Sequence, residues 1–325
     1  MCKSNLSVAL SKRPENILPM SPFKPFCFYS AYGLTIKSEL VLPELPLIQP
    51  VSKADITISL ADLSNDSILK KLQKNKYYWH GNKNGFHLHI AETADFYVTN
   101  GHTILVDTIA DPSDQNVRAH LLGPCMGVLI QQRDILPLHA SCISKGNECI
   151  IISGQSGGGK STLAMALNKK GYPLLSDDIC VIHFSKKNQP YVYPSFPQIK
   201  IGADSANALR VDTSSLSANQ PKHLIQIENR SKNQKHNIKT MFFIEPSNKN
   251  KLEIEELQGS AKMGILVKNT YTPSKLITNL GKTKSQFTQC SILANICKVK
   301  RICRTESFNN LSEIVTMIGD EFLIV

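Results

Sequence analysis

Glu148-Cys149-Ile150-Ile151-Ile152-Ser153-Gly154-Gln155-Ser156-Gly157-Gly158-Gly159-Lys160-Ser161-Thr162 is the stretch that decides the fold. It opens as an apolar strand, turns on glycines and runs into a helix. Gly154 to Ser161 fits the P-loop pattern G-x-x-x-x-G-K-[ST], and a strand before and a helix after are the context which that pattern requires. The glycines let the backbone turn sharply enough for several N–H groups to converge, and the helix start adds its positive end at the same point. A triphosphate suits this cradle. Gly154, Gln155, Ser156, Gly157, Gly158 and Gly159 would surround the phosphates of ATP. Lys160 would neutralise the β- and γ-phosphates, and Ser161 would ligate Mg2+ with Thr162 beside it. The alternative, a glycine-rich turn without a ligand, is set aside because motif and context agree.

Downstream, a helix from Ser161 to about Lys170 carries the chain about 15 Å from the phosphates. Gly171 is a natural stop, and the extended Tyr172 to Asp177 can return by a similar distance. Asp177 and Asp178 therefore arrive back at the phosphates. Two adjacent carboxylates there can divide the work, one accepting a proton from an incoming hydroxyl and the other holding magnesium directly or through water. Taken alone, the pair also reads as a turn before the strand Ile179 to Phe184. Upstream, Leu136 to Ser144 and Glu148 to Ile152 read as a hairpin around Lys145-Gly146-Asn147, which brings one end of the first strand, with His139, near the site. A lone His on an apolar strand is usually a satisfied core residue.

Further upstream the chain reads as β-rich. Phe26 to Tyr32 and Leu34 to Leu42 look extended, and Ala54 to Leu60 alternates as a half-buried strand does. Short runs follow at Tyr77 to His80, Gly85 to Ile90, Asp95 to Val98 and His102 to Asp107. Turn residues such as Gly81-Asn82 and Asn100-Gly101 separate them. From Asp114 the period turns helical through Val117, Leu121, Leu122, Met126, Leu129 and Ile130, with Pro124 expected to kink the helix or start its second half. The expected organisation is a β-rich N-terminal module over 1–113, a connecting helix over 114–134 and a P-loop catalytic domain over 135–325.

Composition bounds the rest. With 42% hydrophobic and 19% charged residues, neither a disordered nor a fibrous chain is in view. No apolar stretch approaches the roughly 20 residues of a membrane span, and Met1 to Pro14 lacks a signal-peptide core, so the expected location is cytoplasmic with no membrane partner. Nine cysteines, without a Cys-x-x-Cys pair, read as reduced thiols. Cys290, Cys297 and Cys303 fit no zinc spacing. Lys and Arg outnumber Asp and Glu by 37 to 26, yet the basic stretch Arg230 to Lys239 has no interleaved aromatics, so no nucleic acid is expected. A homo-oligomer is left open.

Leu138-His139-Ala140, Ile152 to Ser161 and Gly171-Tyr-Pro-Leu-Leu-Ser-Asp-Asp178 together resemble the core of the HPr kinase/phosphorylase family, which combines a His, a P-loop and an Asp-Asp pair in this order. The resemblance implies an α/β fold with a P-loop kinase core of HPr-kinase type. It makes His139 the active-site histidine, Asp177 the general base and Asp178 the second carboxylate, near the metal. Tyr32-Gly33-Leu34, Ser38 to Leu45 and Tyr193 to Lys200 are more like the divergent members that include lasso-peptide tailoring kinases, which phosphorylate a precursor serine. Thr162 stands where the HPr enzymes carry Glu, and their Glu-Ile-Arg-Gly-Leu-Gly segment has no counterpart. The function expected is an ATP- and magnesium-dependent phosphotransferase acting on a serine of a peptide or small protein. The alternatives are a kinase of HPr itself and a nucleotide-dependent regulator that performs no transfer.

Overall fold

The first strands alternate buried and half-buried residues, the signature of a sheet with one face on a core. β1 (Cys27–Ala31), β2 (Leu34–Ser38), β3 (Ile56–Leu60), helix α1 (Ser67–Leu72), β4 (Tyr77–Asn82), β5 (Gly85–Ile90), β6 (Ala94–Thr99) and β7 (Thr103–Thr108) come in sequence. The strands form one seven-stranded sheet in the order β1-β2-β3-β7-β6-β5-β4. β3 runs parallel to both of its neighbours. The computed structural model describes residues 26–75, 77–212, 222–247, 252–304 and 310–323; Met1 to Pro14 and the first part of the expected N-terminal module lie outside them.

One turn differs from expectation. Gly81 and Asn82 belong to β4, and the chain reverses at Lys83-Asn84, because the Asn82 side chain accepts from Asn84 N–H at 2.8 Å and Gly85 N–H at 3.2 Å. Asn100 and Gly101 do make a hairpin turn, both at positive φ (57° and 68°).

The expected connecting helix is α2 (Gln115–His120), a π-helical turn over Leu121–Cys125 and α3 (Met126–Gln132). Pro124 sits inside the wider π turn, which accommodates a residue that has no N–H to give. This helix packs inside the first sheet's core: Val117, Leu121, Met126 and Leu129 are buried with Ile36, Ile58, Phe96 and Ile104.

The second sheet is built from β8 (Leu136–Lys145), β9 (Glu148–Gly154), then after helix α4 (Lys160–Lys169) from β10 (Leu174–Ser176), β11 (Ile179–Phe184) and β12 (Pro190–Val192). A separate pair, β13 (Gln198–Ile201) and β14 (His223–Gln226), flanks helix α5 (Ala203–Ala208). β15 (His236–Pro246), β16 (Glu253–Glu256), helices α6 (Gly259–Lys268), α7 (Ser274–Asn279) and α8 (Thr283–Ile296), β17 (Lys298–Arg304) and α9 (Leu311–Glu321) complete the order. Pairings run from β8 to β9, β15, β12, β11 and back to β8, so the sheet closes on itself.

β9 runs parallel to β15 in the middle of this sheet and is buried along nearly all its length, as an inner parallel strand should be. Its period of two divides the domain. Ile150 and Ile152 face α4 and α9, while Cys149 and Ile151 face α6 and α8. No helix among the described residues is long and apolar enough to cross a membrane.

Candidate active site

β9 ends at Gly154, beside β15, where only glycine fits. A Cβ there would stand 2.3 Å from the Ile244 carbonyl oxygen of β15, and φ is +139°. Gly157 and Gly159 also have positive φ (83° and 94°), and Gly159 caps α4 without a side-chain partner. The first N–H groups of α4, a helix of ten residues, thus end in the glycine-rich loop. Lys160 folds back over the loop and donates to the carbonyls of Gly154 and Gln155, both at 2.9 Å. Burial pulls its pKa down to about 8, against the upward pull of Asp177 and Asp178. A buried ammonium over a glycine loop fits a polyanion such as a triphosphate, which would replace the carbonyls as its partner.

The return path brings Asp177 beside Ser161. β10 and β11 lie along β8 as one interrupted strand, with Ser176 opposite Cys142 and Ile179 opposite His139. The interruption is Asp177-Asp178. Ile179 N–H donates to the Asp177 carbonyl at 2.9 Å around Asp178, whose φ is +70°. A three-residue turn of this hand is rare and strained for a non-glycine residue.

The two carboxylates have different surroundings. Asp177 is 4% exposed. Its Oδ1 accepts from Ser141 Oγ at 2.5 Å and Ser161 Oγ at 2.9 Å, and its Oδ2 accepts from Lys200 N–H at 2.9 Å. Burial pushes its carboxyl above the usual range, and the donated hydrogen bonds oppose that push. Asp178 is the open one. Its Oδ1 lies 3.2 Å from His139 Nδ1 and its Oδ2 lies 3.5 Å from Lys200 Nζ. Burial raises its pKa, but His139 and Lys200 outweigh that and bring it to about 2.

Both oxygens of Asp177 are engaged and one of them holds Ser161, while Asp178 is the more exposed of the two carboxylates, and both line the adjoining cavity. The Thr162 hydroxyl lies 2.8 Å from Ser205 Oγ of α5, since the residue after Ser161 is turned by about 100° around the helix. Gln155 and Ser156 are exposed at the loop's tip.

Beside Asp178 a cavity of about 420 Å³ opens between Glu44, α2 and β13, lined by Arg118, Leu122, Phe196, Lys200, Lys222 and Leu224. Glu44 is held by Arg118 Nε at 2.7 Å. The first sheet reaches in from behind. Tyr32 and Gly33 turn between β1 and β2 at positive φ, and a Cβ on Gly33 would stand 2.3 Å from the Tyr193 ring. Tyr32 meets Phe196 edge to face, with ring centroids 6.3 Å apart. Tyr32-Gly33 and Tyr193 to Lys200, distant in sequence, thus pack together behind the carboxylates.

Sequence reasoning missed three residues. Ser141 was legible as the second residue after His139 on the same face of one strand. Lys200 lay at the end of a quoted segment without an assigned role. Arg304 gave no signal: it ends β17, is 6% exposed, and its Nη1 stands 3.7 Å from where a Cβ on Gly159 would be.

No family model matches the chain, and no curated protein matches it. Among solved structures, the Hpr(Ser) kinase/phosphatase from Coxiella burnetii is similar to it over 57% of this chain and 96% of that one, at 15% identity and a TM-score of 0.30. A likeness that faint carries neither fold nor function over to this chain.

Proposed function

We propose that this protein is an ATP- and magnesium-dependent kinase that phosphorylates a serine hydroxyl, with a P-loop at Gly154 to Ser161. The observation that carries the reading is the meeting of Ser161 and Asp177, sixteen residues apart, in a 2.9 Å hydrogen bond at the mouth of the glycine-rich loop. Lys160 and the N–H groups at the start of α4 hold the phosphates. Ser161 and Asp177 hold Mg2+, which supplies charge neutralisation at the transferring phosphoryl group. Asp178, oriented by His139 and Lys200, receives the acceptor in the adjoining cavity.

In the step itself the acceptor oxygen forms a bond to the γ-phosphorus as the bond to the bridging oxygen breaks, ADP leaves, and the hydroxyl proton passes to Asp178. A carboxylate with a pKa near 2 is a weak base. That suits phosphoryl transfer through a loose transition state, in which the proton leaves late and positioning and charge stabilisation dominate. Arg304 stands beside Gly159 at the loop.

The acceptor in this reading is a serine in a ribosomally made, lasso-type precursor peptide, which rests on the motif resemblance. The protein would then be a peptide-tailoring enzyme. The test is intact-mass measurement of candidate peptides after incubation with the protein, ATP and magnesium. A phosphate increment that the Lys160→Ala variant cannot produce is the expected result; no increment on any hydroxyl acceptor, with ATP bound, would leave a nucleotide-binding regulator instead.

A further inference from the structure

The seven-stranded sheet has two edges, and among the described residues only one of them is covered. Along β1, Ser30 N–H donates to the Pro46 carbonyl at 3.1 Å and Ile48 N–H to the Phe28 carbonyl at 2.9 Å, so the following segment closes that edge. β4, at the opposite end, has no backbone partner on its outer side among the described residues. The turn at Lys83-Asn84 fixes which groups point outward. A two-residue hairpin closes on a hydrogen-bonded pair, here Asn82 with Gly85, and bonded pairs then alternate along the strands. Tyr78 and His80 therefore bond to β5, while Tyr77, Trp79 and Gly81 turn their N–H and C=O groups away from the sheet.

Edge strands are commonly guarded by a lysine or proline in the strand, or by a bulge. Tyr77-Tyr78-Trp79-His80-Gly81-Asn82 has none of these and pairs with β5 in unbroken register. Tyr77 and Tyr78 are 53% and 47% exposed, far more than paired aromatics need be. The charge beside them has one sign: residues 67–84 carry Lys70, Lys71, Lys74, Lys76 and Lys83 and neither Asp nor Glu, and Lys70, Lys71, Lys74 and Lys83 are exposed. The strand also borders the candidate site. The Tyr77 ring lies 6.2 Å from the His120 ring, and His120 ends α2, the helix that walls the Asp178 cavity.

We propose that β4 is the docking edge for the acceptor peptide: an extended acidic segment pairs with its outward backbone groups as an added strand, and the chain then passes α2 to bring its hydroxyl into the cavity at Asp178. Main-chain pairing provides affinity and the lysines select an acidic sequence, the division of work usual in strand addition. This inference rests on the kinase reading for its consequence but not for the docking itself.

The test uses the full chain without nucleotide and a fluorescein-labelled dodecapeptide of alternating glutamate and valine, read by fluorescence anisotropy at low salt. We expect saturable binding that weakens at least tenfold when the valine amides are N-methylated, and at least tenfold when lysine replaces glutamate. Tyr77→Pro, which removes one outward N–H, should weaken binding similarly, and so should the double variant Lys70→Glu/Lys74→Glu, which leaves the strand untouched. Equal binding of the N-methylated peptide, or unchanged binding by the charge-reversed variant, overturns the proposal. So does a dimer in sedimentation that Tyr77→Pro dissociates, since the edge would then belong to a second copy. Lys160→Ala should bind the peptide normally while losing ATP, so failure of the docking edge and failure of the kinase reading give different results.

Discussion

Replacing Asp177 tests how the site is held together. The carboxylate collects Ser141 Oγ, Ser161 Oγ and Lys200 N–H at 2.5, 2.9 and 2.9 Å while only 4% exposed. In Asp177→Asn the amide oxygen must face Lys200 N–H, a donor fixed by the pairing of β13 with β14, and the amide nitrogen then faces two hydroxyls that can rotate and accept. Each of those bonds changes from charge-assisted to neutral, a loss of about 1 kcal/mol apiece. Against this, the neutral amide escapes the burial penalty that pushes the Asp177 carboxyl upward. The net cost should be under about 2 kcal/mol. Asp177→Ala instead strands a buried N–H and leaves a void, for about 3 kcal/mol or more. Urea unfolding at constant m-value measures both, and a magnesium titration of nucleotide binding reads the second consequence. Asp177→Asn should need more magnesium, because a neutral amide is a poorer ligand than a carboxylate. Equal destabilisation by Asn and Ala, or an unchanged magnesium midpoint in Asp177→Asn, would refute the anchoring role.

Asp178→Asn should lower the transfer rate by about 10²-fold, the low end for loss of a general base because a carboxylate of pKa about 2 is a weak one, with nucleotide binding kept, measured in single turnover. Its folded pKa of about 2 lies below the unassociated 3.8, so its contribution is full above pH ~4 and is lost as pH falls toward 2. The difference in unfolding free energy between the wild type and Asp178→Asn, at most about 2 kcal/mol, should therefore close as pH falls from about 4 toward 2. Ser161→Ala should raise the magnesium requirement, whereas Thr162→Val should leave it unchanged, since Thr162 faces Ser205; parallel magnesium titrations separate the two. Gly154→Ala should destabilise by more than about 2 kcal/mol, having both a positive φ and the Ile244 carbonyl in its way, while Gly146→Ala, with positive φ and open space, should cost about 1 kcal/mol; thermal unfolding compares them.

Local pattern was enough for much of this molecule. The strand, glycine turn and Lys-Ser of 148–161 announce a phosphate-type loop because close backbone convergence has few solutions in sequence. The helix of about ten residues and the extended return predicted that Asp177 comes back to Ser161, since rise per residue is fixed by backbone geometry. Alternation marked the strand at 54–60, short runs between turn residues marked those over 85–108, and the helical period from Asp114 marked the helix that carries the π turn. How differently the two carboxylates are held was beyond the sequence, because it depends on burial and on donors from elsewhere: Ser141 from β8 and Lys200 from β13 engage Asp177, and His139 meets Asp178 across a strand pairing. Arg304 reaches Gly159 only because β17 lies parallel to β15 in the closed sheet, and the exposed edge of β4 exists only because the sheet order ends there. Sequence sets what each segment prefers within a few residues of itself; contacts between segments more than a hundred residues apart, such as Tyr32 with Phe196 or Arg304 with the loop, are decided when the two sheets close their cores.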